Sequence, residues 1–429
     1  MKRLISTYIA VLSCMAAAAQ ETVYPAKAQE APVFLTNATI HIGNGQVVEK
    51  GSLAFANGKI TAVGNSIQAP AGARVLDLQG KHVYPGIIAP GTSLGLTEIE
   101  AVRATNDNEE VGEINPSVRA LVAYNTDSKV LATIRSAGIL LAQITPEGGL
   151  ISGSSSVVQL DAWNWEDAAY KADGAIHLYL PSLQPPAANP GRPTPPKDRT
   201  AEFLEKTGEV RAFFREAKAY LQESKHTATN LKFEAVRRLF GREQKLFIHA
   251  DLVKEMLVAV DFAREFGFEV VIVGGADAWL IPDLLKQQQI AVVLVQPHSL
   301  PLMQDDDVDQ PYKTPAQLQK AGVLFCLGNE GFWQQRNLTY EAGTASTYGL
   351  SKEEALSAIT LNTARILGID KTTGSLETGK DANITISTGD LLDMRSSTVT
   401  QAFIQGREVS LDNKQKQLYE RYRYKYGLK

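Results

Sequence analysis

The chain has 429 residues, of which 44% are hydrophobic and 21% charged, the balance of an ordinary soluble globular protein. That length exceeds one small domain and suits a large barrel with a satellite domain. A formal net charge of -4 gives no electrostatic reason to expect nucleic acid or an anionic membrane as partner, and after residue 20 no apolar run is long enough to span a bilayer.

Lys2 and Arg3 precede an apolar run over residues 4–15, which ends in the small residues Ala16 to Ala19 and Gln20. A basic start, a short apolar stretch and a small-residue end are the three parts of a secretory signal peptide. The expected signal is 1–19, cleaved at Ala18 or Ala19, with Ala26-Lys27-Ala28 as a later candidate; the product is then periplasmic or secreted. Lipid anchoring through Cys14 is the alternative, although Leu12 is bulky where a lipobox favours a small residue. Cys326, the second of two cysteines, is left with no partner once Cys14 is removed, so no intrachain disulfide is expected. It lies in the apolar run 323–327 and reads as a buried small hydrophobe.

Residues 33–40 alternate as a strand and lead into Gly43-Asn44-Gly45. A second strand at 52–56 meets Asn57-Gly58 and returns at 59–63, a strong hairpin signal, and another strand is expected at 74–78. From Val83 the pattern changes. Short apolar runs at 83–88, 139–144, 175–180, 246–250, 269–273, 291–295 and 323–327 are separated, in the later part, by helical patterns at 231–240, 252–266, 278–288 and 315–321. Strands apolar on both faces and alternating with helices predict a parallel sheet, and this many units favour a closed α/β barrel of the (β/α)8 type.

The acidic stretch 97–116 follows the first barrel strand, on the face where barrels bind ligands. Residues 148–156, rich in Gly and Ser, read as a barrel loop. Seven prolines in 181–197 predict an extended surface segment, followed by a long charged helix over 200–222. After a last barrel helix at 352–367 the β pattern returns at 384–387 and 399–404. Residues 412–429 form a basic tail in which Tyr419, Tyr422, Tyr424 and Tyr426 alternate with Arg421, Arg423 and Lys425. It reads as a solvated terminal helix packed by its tyrosines, or as a surface for another subunit.

Several motifs along this frame point one way. They are Asn57-Gly58-Lys59-Ile60, Tyr84-Pro85-Gly86, the run Ile359-Thr360-Leu361-Asn362 with Ala364, Ile366 and Leu367, and Gly374 to Ala382. Together they resemble the amidohydrolase superfamily, closest to its imidazolonepropionase-like group, over about residues 33–411. The resemblance implies a (β/α)8 barrel over 83–368 and a small β-sandwich built from 31–82 and 369–411. It also implies a divalent metal, such as zinc, held at the strand ends for hydrolysis of C–N bonds.

The ligands that the resemblance implies are mostly replaced here. The strand 1 His-x-His is Gly91-Thr92-Ser93, with Ala89 in place of an acid; the strand 4 bridging group has only His177 nearby; and the strand 6 histidine is Gly274-Gly275. Two positions keep a usable group: His249 on strand 5, and Glu330 on strand 8 where the family carries an aspartate that is both ligand and general base. His249 and Glu330 are therefore the candidate metal residues and Glu330 the candidate catalytic one, with Glu98, Glu100 and His298 as possible helpers. Glu330 as a cap or an Arg336 partner is the structural alternative. A catalytic zinc needs about three protein ligands. The expectation is an exported, non-catalytic binding module for a small molecule or peptide, acting as a homo-oligomer or as the silent partner of an active paralogous subunit. The alternative is a hydrolase of non-peptide amide or dipeptide bonds with an atypical or mononuclear metal site.

Overall fold

The computed structural model describes residues 24–184 and 198–428. The expected signal peptide, Cys14 and most of the proline-rich segment lie outside the described residues.

One sheet of eight strands joins the two ends of the chain. It contains β1 (Val33–His41), β2 (Val47–Ala56), β3 (Lys59–Gly64), β4 (Arg74–Asp77), β5 (His82–Pro85), β14 (Ile384–Ser387), β15 (Val399–Ile404) and β16 (Arg407–Glu408). Asn57 and Gly58 both take positive φ, 51° and 78°, the geometry that an Asn-Gly hairpin turn requires. β1 is bulged between Leu35 and Ala38, and it pairs on one side with β2 and on the other with both β4 and β5. The fork folds the sheet about a core of Leu35, Ile40, Phe55, Ile60, Val83, Ile384 and Phe403. β5 pairs antiparallel with β14, so the last β segment completes what the first began.

The second sheet is a nearly closed barrel of eight strands in sequential order: β6 (Ile87–Thr92), β7 (Ile139–Ile144), β8 (Ile151–Gln159), β9 (Ala169–Tyr179), β10 (Lys245–Ala250), β11 (Val270–Gly274), β12 (Ala291–Val295) and β13 (Phe325–Gly328). The fold class expected from the sequence holds, with one correction. Residues 148–156 are not a loop: most of them belong to β8, which runs antiparallel between β7 and β9. Gly has low strand propensity, but all of Ile151 to Val158 is buried, β9 pairs along most of this stretch, and β7 pairs with its second half.

Helices Arg199–Gln222, Val253–Phe266, Pro282–Gln287 and Gln310–Ala321 follow β9, β10, β11 and β12. The helix expected over 352–367 is two, Lys352–Ala358 and Leu361–Leu367, broken at Thr360, whose hydroxyl donates to the Leu356 carbonyl. Its second half closes the barrel floor, where Ala364 and Ile366 pack with the inward-facing Ile88, Leu141, Phe247, Val293 and the buried, free Cys326. The terminal helix Lys414–Tyr426 buries none of its residues, so its tyrosines are exposed and do not pack it against the barrel. Among the described residues no helix is long and apolar enough to cross a membrane.

Candidate functional site

Above the apolar floor, the inward-facing side chains of four successive strands, β7 to β10, turn polar and bond to one another, and a backbone N–H of β6 joins them. The Gly91 N–H at the end of β6 donates to Gln143 Oε1 on β7 (3.2 Å), and Gln143 Nε2 donates to Ser155 Oγ on β8 (2.9 Å). Ser155 Oγ meets His177 Nε2 on β9 at 2.8 Å, and His177 Nδ1 meets His249 Nε2 on β10 at 3.1 Å. With the Gln143 amide as donor, one set of directions gives each of the three contacts one donor and one acceptor: the Ser155 hydroxyl donates to His177 Nε2, and His177 Nδ1–H donates to His249 Nε2. His249 then carries its own proton on Nδ1. Both rings are neutral in this chain. Burial holds His177 well below the ordinary histidine value, helped by His249, and burial brings His249 down to about 3. The Tyr179 ring stacks on His249 with centroids 3.7 Å apart.

At strand 1, Gly91-Thr92-Ser93 has become a structural stitch. The Thr92 hydroxyl donates to the Gly331 carbonyl (2.6 Å), tying the end of the first barrel strand to the loop after the last. At strand 6, Gly274 has φ +104°, and a Cβ placed there would lie 2.5 Å from Asp251 Oδ1. Asp251 thus occupies the space that a larger residue at 274 would enter. At strand 8, Asn329 is buried and Glu330 is exposed. Asn329 Nδ2 donates to Glu341 Oε2 (2.9 Å), and Gln335 Nε2 donates to the Asn329 and Gly331 carbonyls. Glu330 forms no ion pair with Arg336, whose guanidinium bonds the Trp333 carbonyl and lies over the Trp333 ring.

These strand ends open into a cavity of about 1170 Å³ at the C-terminal face. His249 and Glu330 both line it, so the two candidate residues share one site, and Glu100 lines it as well. His298 is elsewhere, bonded through Nε2 to Thr344 Oγ1 (2.6 Å), and Glu98 accepts from Asn125. Asp251 and Glu147 also face the cavity, and sequence reasoning passed over both. Burial, then Glu255, Glu330 and Asp277, raises Asp251 to about 6, opposed by the Ala276 N–H. Burial raises Glu147 too, opposed by its bond to Asn108 and supported by Glu109, Glu330 and Glu100. The period of two along a strand end was the available signal for Asp251, two residues after His249. For Gln143 and Ser155 no signal existed, because each is an ordinary polar residue in a strand. Among the described residues no three His, Cys, Asp or Glu side chains are grouped to hold a metal ion.

A barrel whose strand ends line one cavity, flanked by a sheet built from both chain ends, is the architecture, and comparison with known proteins identifies its family. The amidohydrolase family model matches residues 317–409. An imidazolonepropionase of Mesorhizobium japonicum is 26% identical over 378 residues, covering 79% of this chain and 87% of that protein. Amidohydrolase tasK of Hapsidospora irregularis is 22% identical over 403 residues; the match covers 83% of this chain but only 39% of that longer protein. The crystal structure of an amidohydrolase from Thermotoga maritima MSB8 superposes with a TM-score of 0.76 at 27% identity, over 88% of this chain and 99% of that one. The chain belongs to the amidohydrolase superfamily, in its imidazolonepropionase-like group.

Proposed function

We propose that this chain is a non-catalytic, ligand-binding member of its superfamily, a barrel kept for its cavity and serving as a binding module or as the silent subunit beside an active paralogue. One observation carries the reading: the histidines remaining at the strand ends are committed to each other. His177 spends both ring nitrogens on Ser155 and His249, and His249 spends Nε2 on His177, leaving Nδ1 as the one imidazole nitrogen of the pair without a partner among the described residues. A catalytic zinc needs about three protein ligands and an open position. Gly91 offers no donor, Ser93 offers only a neutral hydroxyl, a poor ligand for zinc, and a side chain at Gly274 would collide with the Asp251 carboxylate at a left-handed φ. The residues present do not fit the superfamily's metal.

The alternative reading, C–N bond hydrolysis at a mononuclear centre, draws support from His249 and Glu330 facing the same cavity. Export to the periplasm or the exterior is part of the proposal and rests on the leader pattern of Lys2 to Gln20.

Elemental analysis of protein purified without chelators, alongside His249→Ala, separates the two. Substoichiometric transition metal, unchanged in the variant, is the expected result. Stoichiometric zinc that is lost on mutation overturns the proposal. Co-purification with an amidohydrolase that carries an intact His-x-His would support the silent-subunit form.

A further inference from the structure

Among the described residues the cavity is lined by seven carboxylate residues against one cation, Arg103. Glu255 is taken up in capping, accepting from the Asp251, Leu252 and Leu183 N–H groups. The remaining six are Glu100, Glu109, Glu110, Glu147, Asp251 and Glu330, and among the described residues none has an ion-pair partner. Elsewhere on the surface, acids such as Asp307, Asp390 and Glu265 are paired with Lys or Arg. Like charges gathered around one concave space raise its negative potential and attract a counter-charge. A second observation is independent of charge. Thr97, only 4% exposed, lines the same cavity, yet its hydroxyl has no hydrogen-bond partner among the described residues. A buried hydroxyl left unmatched is unfavourable, and a ligand polar group would satisfy it. The lining also has an apolar part: Leu300 and Leu302, exposed by 78% and 37%, face the cavity together with Phe332 and Val111.

We propose that this cavity takes an organic cation with an apolar body, of the kind presented by a short basic peptide with a free amino terminus. The ammonium groups sit among Glu147, Glu330 and the acids of the 100–110 segment, and the apolar part lies against Leu300 and Leu302. An anionic ligand is repelled. The inference rests on the proposed binding role only in taking this cavity as the ligand site.

The test is isothermal titration of the full chain with leucyl-lysine amide, which carries two positive charges, and with acetyl-leucyl-glutamate as the anionic control. Saturable binding of the amide alone is expected, weakening as salt shortens the screening length. Glu330→Gln and Glu109→Gln, both at exposed positions, should each weaken it by about five- to tenfold, the loss expected for removing one nearby charge at intermediate effective dielectric. Glu166→Gln, an exposed acid outside the cavity, should change nothing. Equal affinity for the two peptides, or binding indifferent to the cavity variants, overturns the proposal. So does saturable calcium binding that Glu330→Gln abolishes while the amide fails to bind. Metal content measured on the same samples keeps the two proposals apart. Zinc-loaded protein that binds the amide sinks only the silent reading, and metal-free protein that ignores it sinks only this one.

Discussion

Glu341 offers the sharpest test of how this barrel is held together. It lies on the helix Leu338–Thr347, is 3% exposed, and accepts one hydrogen bond, from Asn329 at the end of β13. Burial raises its carboxyl to about 8, with the Asn329 bond pulling the other way. In the unfolded chain a glutamate titrates near its ordinary value of about 4.3. The folded state therefore keeps a proton that the unfolded state has released, and stability falls as pH rises between those values. The stabilising contribution is complete below about pH 4 and lost by about pH 8, at a slope of up to about 1.4 kcal/mol per pH unit, which caps the total at about 5 kcal/mol. Water entry and local rearrangement reduce that, so about 2–4 kcal/mol is expected. Glu341→Gln keeps the shape and an acceptor for Asn329 but cannot ionise. Urea unfolding at pH 5 should find the two proteins nearly equal, and at pH 8 the variant more stable. Parallel pH profiles, or a variant less stable at pH 8, would refute the reasoning.

Ser155→Ala should destabilise the fold by about 2–4 kcal/mol, because it strips partners from two buried groups, Gln143 Nε2 and His177 Nε2. Nitrogen-15 shifts of both histidine rings should move in that variant, whereas unchanged rings would deny the bonded chain. Gly274→Ala, with its Cβ 2.5 Å from Asp251 Oδ1 at φ +104°, should cost about 2–4 kcal/mol in chemical denaturation. Gly274→His should be less stable still and gain no zinc. N-terminal sequencing of protein recovered from the cell exterior or periplasm should begin near residue 19 or 20; an intact Met1 in a cytoplasmic fraction would count against export.

Much of the frame was legible because its signals are local. Asn57-Gly58 announces its hairpin, and both residues do adopt the positive φ that the turn needs. The seven apolar runs match β6, β7 and β9 to β13, since a buried parallel strand must be apolar on both faces. β8 was hidden for the opposite reason. Its Gly153 to Ser155 become strand only because β9 pairs with them, and Ser156 because β7 does. The exposed tyrosines of the last helix were likewise beyond reach, as no local rule tells a packed aromatic from a solvated one.

The sequence by itself determined which metal-ligand types are absent, because a glycine at 91 or 274 carries no donor in any conformation. It also placed His249 and Glu330 at strand ends. Only the tertiary structure decided what the surviving groups do. Gln143, Ser155, His177 and His249 are separated along the chain by 12, 22 and 72 residues, yet each bonds the next. Hydrogen bonds depend on distance and direction, and those are set when the strands curl side by side into a barrel. Six acids, distant or adjacent in sequence, become one negative surface for the same reason, since potential sums over space rather than along the chain.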